Sequence, residues 1–284
     1  MKITEIGPVF CGSDAVAAGA ITVAQLRGPR FRWLCRDVYA PSGLIPTHEL
    51  RCRAFALALT SEVVITGRSA ATIRGVPLCW PEDDVEVLAP PPLRLAHRTG
   101  LLVRRTEFGP ADWAPWGDGK LASPSRMALD LLLGRRLPDA VADLDAVVRK
   151  GLVALPDVAA MVAGRSDNGI VLARQAVSLV DPRAESLPES RLRVVLTLDG
   201  LQPVPQYWIN DRHGRIARVD LAFPEQRVAV EYDGDWRDGE LWALNRDRER
   251  LNRVHAAGWD VVFVTAPLLR DERRLLRTVR QALG

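Results

Sequence analysis

The chain has 284 residues, 48% of them hydrophobic and 26% charged, with a formal net charge of +3. That length allows two domains, or three small ones, and the composition is that of an ordinary globular protein. No apolar run approaches the ~20 residues of a membrane span, and a charge of +3 does not by itself argue for nucleic-acid binding.

The opening MKITEIGPVF is short in apolar length and carries charge early, so it does not read as a secretory signal; the cytoplasm is the expected compartment. SDAVAAG and ITVAQLRG read as two short helical pieces broken by Gly19. FRWLCRDVYAP then alternates like a strand and ends at Pro41. Helix, turn, helix, β-ribbon is the order of a winged helix, with Arg27, Arg30 and Arg32 at the end of the second helix and on the wing, where they could meet DNA phosphates. A small structural cap with solvated arginines fits the same pattern. The four cysteines, Cys11, Cys35, Cys52 and Cys79, form no CxxC and read as reduced, buried thiols.

From 47 to 150 the pattern is mixed. THELRCRAFALALT is an amphipathic helix, EVVITG a strand and SAATIRG a short helix ended by Gly75. DVEVLAP and LLVRRTEF read as strands. Ser123 followed by Pro124 opens another helix, and LPDAVADLDAVVRKG is a further one closed by Gly151. Asp130, Asp143 and Asp145 read as helix-surface charges. More helix follows to the breaker Asp181-Pro182-Arg183, which suggests a domain boundary near 181.

The last hundred residues carry the chemistry. Residues 181–284 hold seventeen acidic residues and seventeen arginines, so any affinity for DNA there depends on how the arginines are placed. A helix over 186–198 is followed by strands PQYWIN, RIARVDLAF and RVAVEYD, a helix around 241–257, strand WDVVFV and a final helix at 271–283. The loop Pro224–Arg227 makes the second and third strands a hairpin in which Phe223 pairs with Val228. Counting back, Asp220 lies opposite Glu231. Directly opposed residues have Cβ atoms roughly 4.5–5.5 Å apart, where like charges destabilise a ladder. A divalent cation between the two carboxylates would remove that cost.

Strict alternation puts Asp220 on one face with Arg218 and Ala222, and Glu231 with Asp233. Glu189 stands at capping-box spacing from Ser186, and equally on the helical stripe of Leu192 and Leu196, from which it could reach Asp220 and Glu231. Asp247 falls inside the apolar stripe of Leu244, Leu251 and Val254 and needs a partner such as Arg250. Arg246, Arg250 and Arg253 line the flank of that helix, suited to phosphates or simply solvated.

The spacing from Glu189 to Asp220 to Glu231-x-Asp233-Gly234, followed by DxxR and a Gly-Trp strand, resembles the PD-(D/E)XK nuclease superfamily. The branch is that of the very-short-patch repair endonucleases, often seen as a DUF559 domain. PVPQYWIN, RVDLAFP, RVAVEYDGDW and NRDRERLNRVHAAGW carry the likeness over about 185–265. The resemblance implies a restriction-endonuclease-like domain with a mixed sheet. It also implies Mg²⁺ (or Mn²⁺) held by Glu189, Asp220 and Glu231, with Gln206 in support. Two positions depart from the pattern. The usual lysine after the second acid is Asp233, and the histidine after the Asp-Gly turn is absent, that stretch reading DWRD with Arg237. Asp233 then stands as a further ligand or a base.

The first 150 residues resemble, more loosely, the winged-helix region of AbiEi-like antitoxins through DVYAP, SAATIRGVPL and the SPSRMALDLL helix. The expected architecture is therefore α+β: a winged-helix-like DNA-binding unit at 1–80, a middle α+β region at 81–180 and a nuclease-like domain at 181–284. The expected activity is Mg²⁺-dependent DNA cleavage with catalytic Glu189, Asp220, Glu231 and Asp233. The alternative is a non-catalytic, antitoxin-like DNA-binding regulator that keeps the nuclease fold as a scaffold.

Overall fold

The computed structural model describes residues 8–95, 98–212, 214–234 and 241–284, with the backbone alone for 241–247. It is a mixed α+β protein that divides into two compact units, one of residues 1–134 and 150–162, the other of 135–149 and 163–284.

The first unit begins with β1 (Phe10–Cys11), α1 (Gly12–Ala17), α2 (Val23–Leu26), β2 (Phe31–Cys35) and β3 (Val38–Pro41). The strands form a sheet ordered β1-β3-β2. Phe10, Ala15, Ile21 and Leu26 make its small core, with Phe31 edge-on to Phe10 at 5.3 Å. Thr22 and Gln25 form a reciprocal capping box at the start of α2, which lasts a single turn.

Next come α3 (His48–Ala58), β4 (Val64–Ile65), α4 (Gly67–Ile73), β5 (Val85–Ala89), β6 (Leu101–Arg105), β7 (Trp113–Trp116), β8 (Gly119–Ala122) and α5 (Pro124–Leu132). Their five strands run in the order β6-β5-β4-β8-β7. This sheet draws on both sides of residue 80, so the expected boundary there cuts through one continuous sheet. The hairpin β7–β8 was not legible as strands: Pro115 breaks the alternation, and it is tolerated because β7 is an edge.

The second unit takes in α6 (Leu137–Arg149), passes over α7 (Leu155–Ala163), nearly all of which belongs to the first unit, and continues with α8 (Ile170–Ser178). It then runs through α9 (Leu187–Leu198), β9 (Val204–Asp211), β10 (Gly214–Phe223), β11 (Val228–Asp233), α10 (Leu241–Ala256), β12 (Asp260–Thr265), α11 (Ala266–Arg270) and α12 (Glu272–Leu283). From α9 onward the order is the one expected from the sequence, with α11 as an extra turn. The boundary expected near 181 falls inside this unit, because α6 packs against α9 and α8. The breaker at 181–183 is only a turn, and the Asp181 N–H is itself held by Asp145 Oδ1 at 2.7 Å.

Three aspartates expected on helix surfaces are buried, each matched by arginine. Asp130 takes two bonds from Arg126 (3.0 and 3.2 Å) and one from Thr66 Oγ1 (2.6 Å). Asp145 accepts Arg193 Nη2 at 2.9 Å, and Asp143 lies 3.6 Å from Arg135. A buried charge survives only with such compensation, and periodicity alone cannot show the partner.

In the second unit the sheet is ordered β12-β11-β10-β9, with β11–β12 parallel and the other pairs antiparallel. Two cores cover it. Leu192 and Leu196 of α9 and Leu275 and Val279 of α12 pack with Leu221, Phe223, Val228, Val230 and Val264. Val254 of α10 and Trp259 pack instead with Ile209, Ala217, Val219, Ala222 and Ala229.

Candidate functional site

Where β10 meets β9 the pleat reverses. Val219 and Leu221 are two residues apart and should share a face. Instead Val219 joins the α10 core and Leu221 the α9–α12 core. Asp220 is the residue between them. Across from it on β9, between the pairs Val219–Tyr207 and Leu221–Pro205, stands Gln206 with φ of 53°. A left-handed non-glycine residue of this kind costs on the order of 1 kcal/mol or more and persists where surrounding structure demands it. The reversal also corrects the strand-face expectation, since Ala222 is buried in the α10 core while Arg218 reaches Glu185, just before α9, at 2.7 Å.

On its other side β10 pairs with β11 in the expected register, Phe223 with Val228 and Leu221 with Val230. The ladder stops there, one step before Asp220 and Glu231. The Tyr232 N–H donates to Asp220 Oδ2 at 2.8 Å, so the Asp220 side chain takes a bond beyond the end of the backbone ladder.

Glu189 serves the cap of α9 and is also buried. Ser186 caps α9, its Oγ accepting from the Glu189 N–H (3.3 Å) and donating to Oε1 (2.7 Å). Oε2 accepts the Glu185 N–H and Gln206 Nε2, both at 2.9 Å. The left-handed backbone at Gln206 thus accompanies an amide aimed at Glu189. All these donors are neutral, so they fix Glu189 without cancelling its charge.

Glu231 is held differently. Both its oxygens accept from Arg250, at 2.9 Å each, in a bidentate pair on a mostly buried carboxylate. Asp233 ends β11 beside Thr265 and is half-buried. The side chains of Arg246 and Asp247 lie outside the described residues.

Electrostatically the centre is Asp220. Burial raises its pKa to about 7, helped first by the charge of Glu189, then by Glu231 and Glu185, and opposed by the Tyr232 N–H. The pairing of Glu185 with Arg218 is not legible in the sequence, where they look like two surface charges 33 residues apart. Among the described residues, no three acidic, histidine or cysteine side chains converge closely enough to hold a metal ion. The donors themselves are all carboxylate oxygens, the chemistry that suits a hard cation. Glu231 could offer an oxygen only by loosening Arg250.

In the first unit, Arg27 closes α2, Arg30 lies in the following turn and Arg32 sits on β2, donating to Ser42 O at 3.4 Å. Arg27 and Arg30 are exposed, as is Trp33. With one turn of helix, α2 presents little of the surface that a recognition helix lays in a groove.

No family model matches the chain. Two Mycobacterium tuberculosis proteins, the uncharacterized proteins MT2308 and Rv2248, are 37% identical to it over 159 residues, 54% of this chain and 58% of theirs. The chain therefore spans little more than half the length of these curated relatives. The crystal structure of the RV2827C protein from Mycobacterium tuberculosis aligns with a TM-score of 0.43 at 17% identity, over 63% of this chain and 74% of that one.

Proposed function

We propose that the second unit is a metal-dependent DNA endonuclease domain of PD-(D/E)XK type. The observation that carries this is Asp220, poised near neutrality at the point where β10 and β11 stop pairing, with Glu189 and Glu231 acting on it. A structural carboxylate buried at such a junction would be expected to have a cation against it, as Asp130 and Asp145 do. Among the described residues Asp220 has acids instead, the arrangement of a site that awaits a positive partner. The order α9-β9-β10-β11-α10-β12 agrees with that reading.

Asp220 and Glu231 are the residues that would hold Mg²⁺, with Glu189 direct or through water. A bound ion would supply charge for the phosphate and a more acidic water. The chain's own part is to position: Ser186 and Gln206 fix Glu189, and the Tyr232 N–H fixes Asp220. Arg250 holds Glu231 in a bidentate pair and would be placed to meet a phosphate oxygen. Asp233 is the remaining carboxylate for accepting a proton from water, since the usual lysine is absent.

One observation favours a second reading. Arg250 already satisfies Glu231 at both oxygens, as a permanent structural cation would. On that reading the domain binds DNA without cutting it. Plasmid cleavage with Mg²⁺ and Mn²⁺ separates the two. Nicking or linearisation by the wild type, lost in Glu231→Gln, supports the endonuclease. Intact plasmid with both ions, from protein that still binds DNA, supports the regulator.

A further inference from the structure

The second unit holds a cavity of about 290 Å³ on its α9–α12 side. Its apolar lining includes Val195, Tyr232 and Leu269, and its arginines are Arg136, Arg191 and Arg270. It adjoins the candidate site through Tyr232, whose N–H holds Asp220 while its side chain packs with the α9–α12 core.

The charges are arranged to be recruited. Arg191 pairs with Asp139 at 2.7 Å, both one-third exposed, and the exposed Arg136 pairs with the half-buried Glu272. Pairs this open to solvent are worth little and can exchange for a phosphate, which guanidinium binds in bidentate fashion. Arg270 donates Nε to its own turn at Ala266 O and, among the described residues, meets no carboxylate. An apolar floor with an arginine rim matches one nucleotide: base and sugar below, phosphate at the edge. A base stacked inside a duplex cannot enter such a concavity, so the nucleotide must be unpaired or turned out of its stack.

We infer that this cavity binds a single unpaired nucleotide of a nucleic-acid strand, its phosphate on the rim of Arg136, Arg191 and Arg270. The identity of the strand as substrate rests on the endonuclease reading; the cavity's own chemistry does not.

The test is fluorescence anisotropy on the full chain in EDTA, with a fluorescein-labelled oligo-dT and a hairpin duplex as probes. Arg270→Gln, and Arg136→Gln with Arg270→Gln, alter exposed side chains and should leave the circular dichroism and melting curve unchanged. Oligo-dT affinity should fall ~10-fold with the first variant and further with the second, as expected for losing charge-assisted bonds. Hairpin affinity should change by less than ~2-fold, since its phosphates are met elsewhere. Thymidine monophosphate should displace oligo-dT at lower concentration than inorganic phosphate does. Unchanged oligo-dT affinity in the double variant overturns the site, and equal potency of phosphate and nucleotide overturns the base-binding floor. Absence of plasmid cleavage by the wild type defeats the endonuclease reading and leaves this binding result standing.

Discussion

Replacing Asp220 with asparagine keeps an acceptor for the Tyr232 N–H and removes the charge. The carboxyl ionises at about 7 in the fold against an ordinary value of 3.8. Below about pH 4 it is protonated folded and unfolded alike and costs nothing. Between about pH 4 and pH 7 the unfolded chain ionises first, so the wild type loses stability as pH rises, and above about pH 7 the loss is complete. The gap between 3.8 and about 7, at 1.36 kcal/mol per pH unit, sets a ceiling of about 4 kcal/mol. Solvent at a partly exposed carboxyl reduces this to ~2 kcal/mol. Asp220→Asn should therefore match the wild type near pH 4 and exceed it by ~2 kcal/mol near pH 8. Urea midpoints followed by circular dichroism across that range measure the difference on whichever unit's transition shifts. Magnesium at ten times its Kd should add ~1.4 kcal/mol to the wild type and nothing to the variant. A difference that stays flat with pH, or a variant weaker than the wild type near pH 8, would refute the reasoning.

Arg250→Gln leaves Glu231 without its bidentate partner and should cost ~1–3 kcal/mol in urea denaturation, while frees an oxygen that strengthens the Mg²⁺-dependent rise in Tm. At Gln206, alanine should destabilise by ~1 kcal/mol more than glycine, although both lose the bond to Glu189, because only glycine takes φ of 53° without strain; equal melting temperatures would contradict this. Replacing Arg27 and Arg30 together with glutamine should weaken duplex binding and lower the slope of log affinity against log salt by ~2, and an unchanged slope would remove these arginines from the interface.

Much of the second unit is legible from period and punctuation. The Pro224–Arg227 turn fixes the hairpin register, and Ser186 with Glu189 fixes the start of α9. What could not be read depends on neighbours distant in sequence. Period-two alternation fails at Asp220 because the pleat reverses opposite a left-handed Gln206, and nothing local in VPQYW announces that backbone. Asp130, Asp143 and Asp145 look like surface charges because the arginines that accompany them cannot be paired to them by pattern alone. The unit boundary was misplaced for a related reason: a local breaker at Asp181 is visible, but the packing of α6 on α9 is not.

The placement of the arginines also decides where a cation is most wanted. Glu185 is matched by Arg218 and Glu231 by Arg250, so the two outer acids of the cluster are already neutralised. Among the described residues Glu189 has only neutral donors, and Asp220 has one backbone N–H. Among the described residues the uncompensated charge lies between these two, and Glu189 outranks Glu231 in raising the Asp220 pKa. Opposition across the hairpin points to Asp220 and Glu231 as the closest competitors for an ion. The ion pairs move the demand toward α9 and leave Glu231 as the ligand that must give up a partner to join.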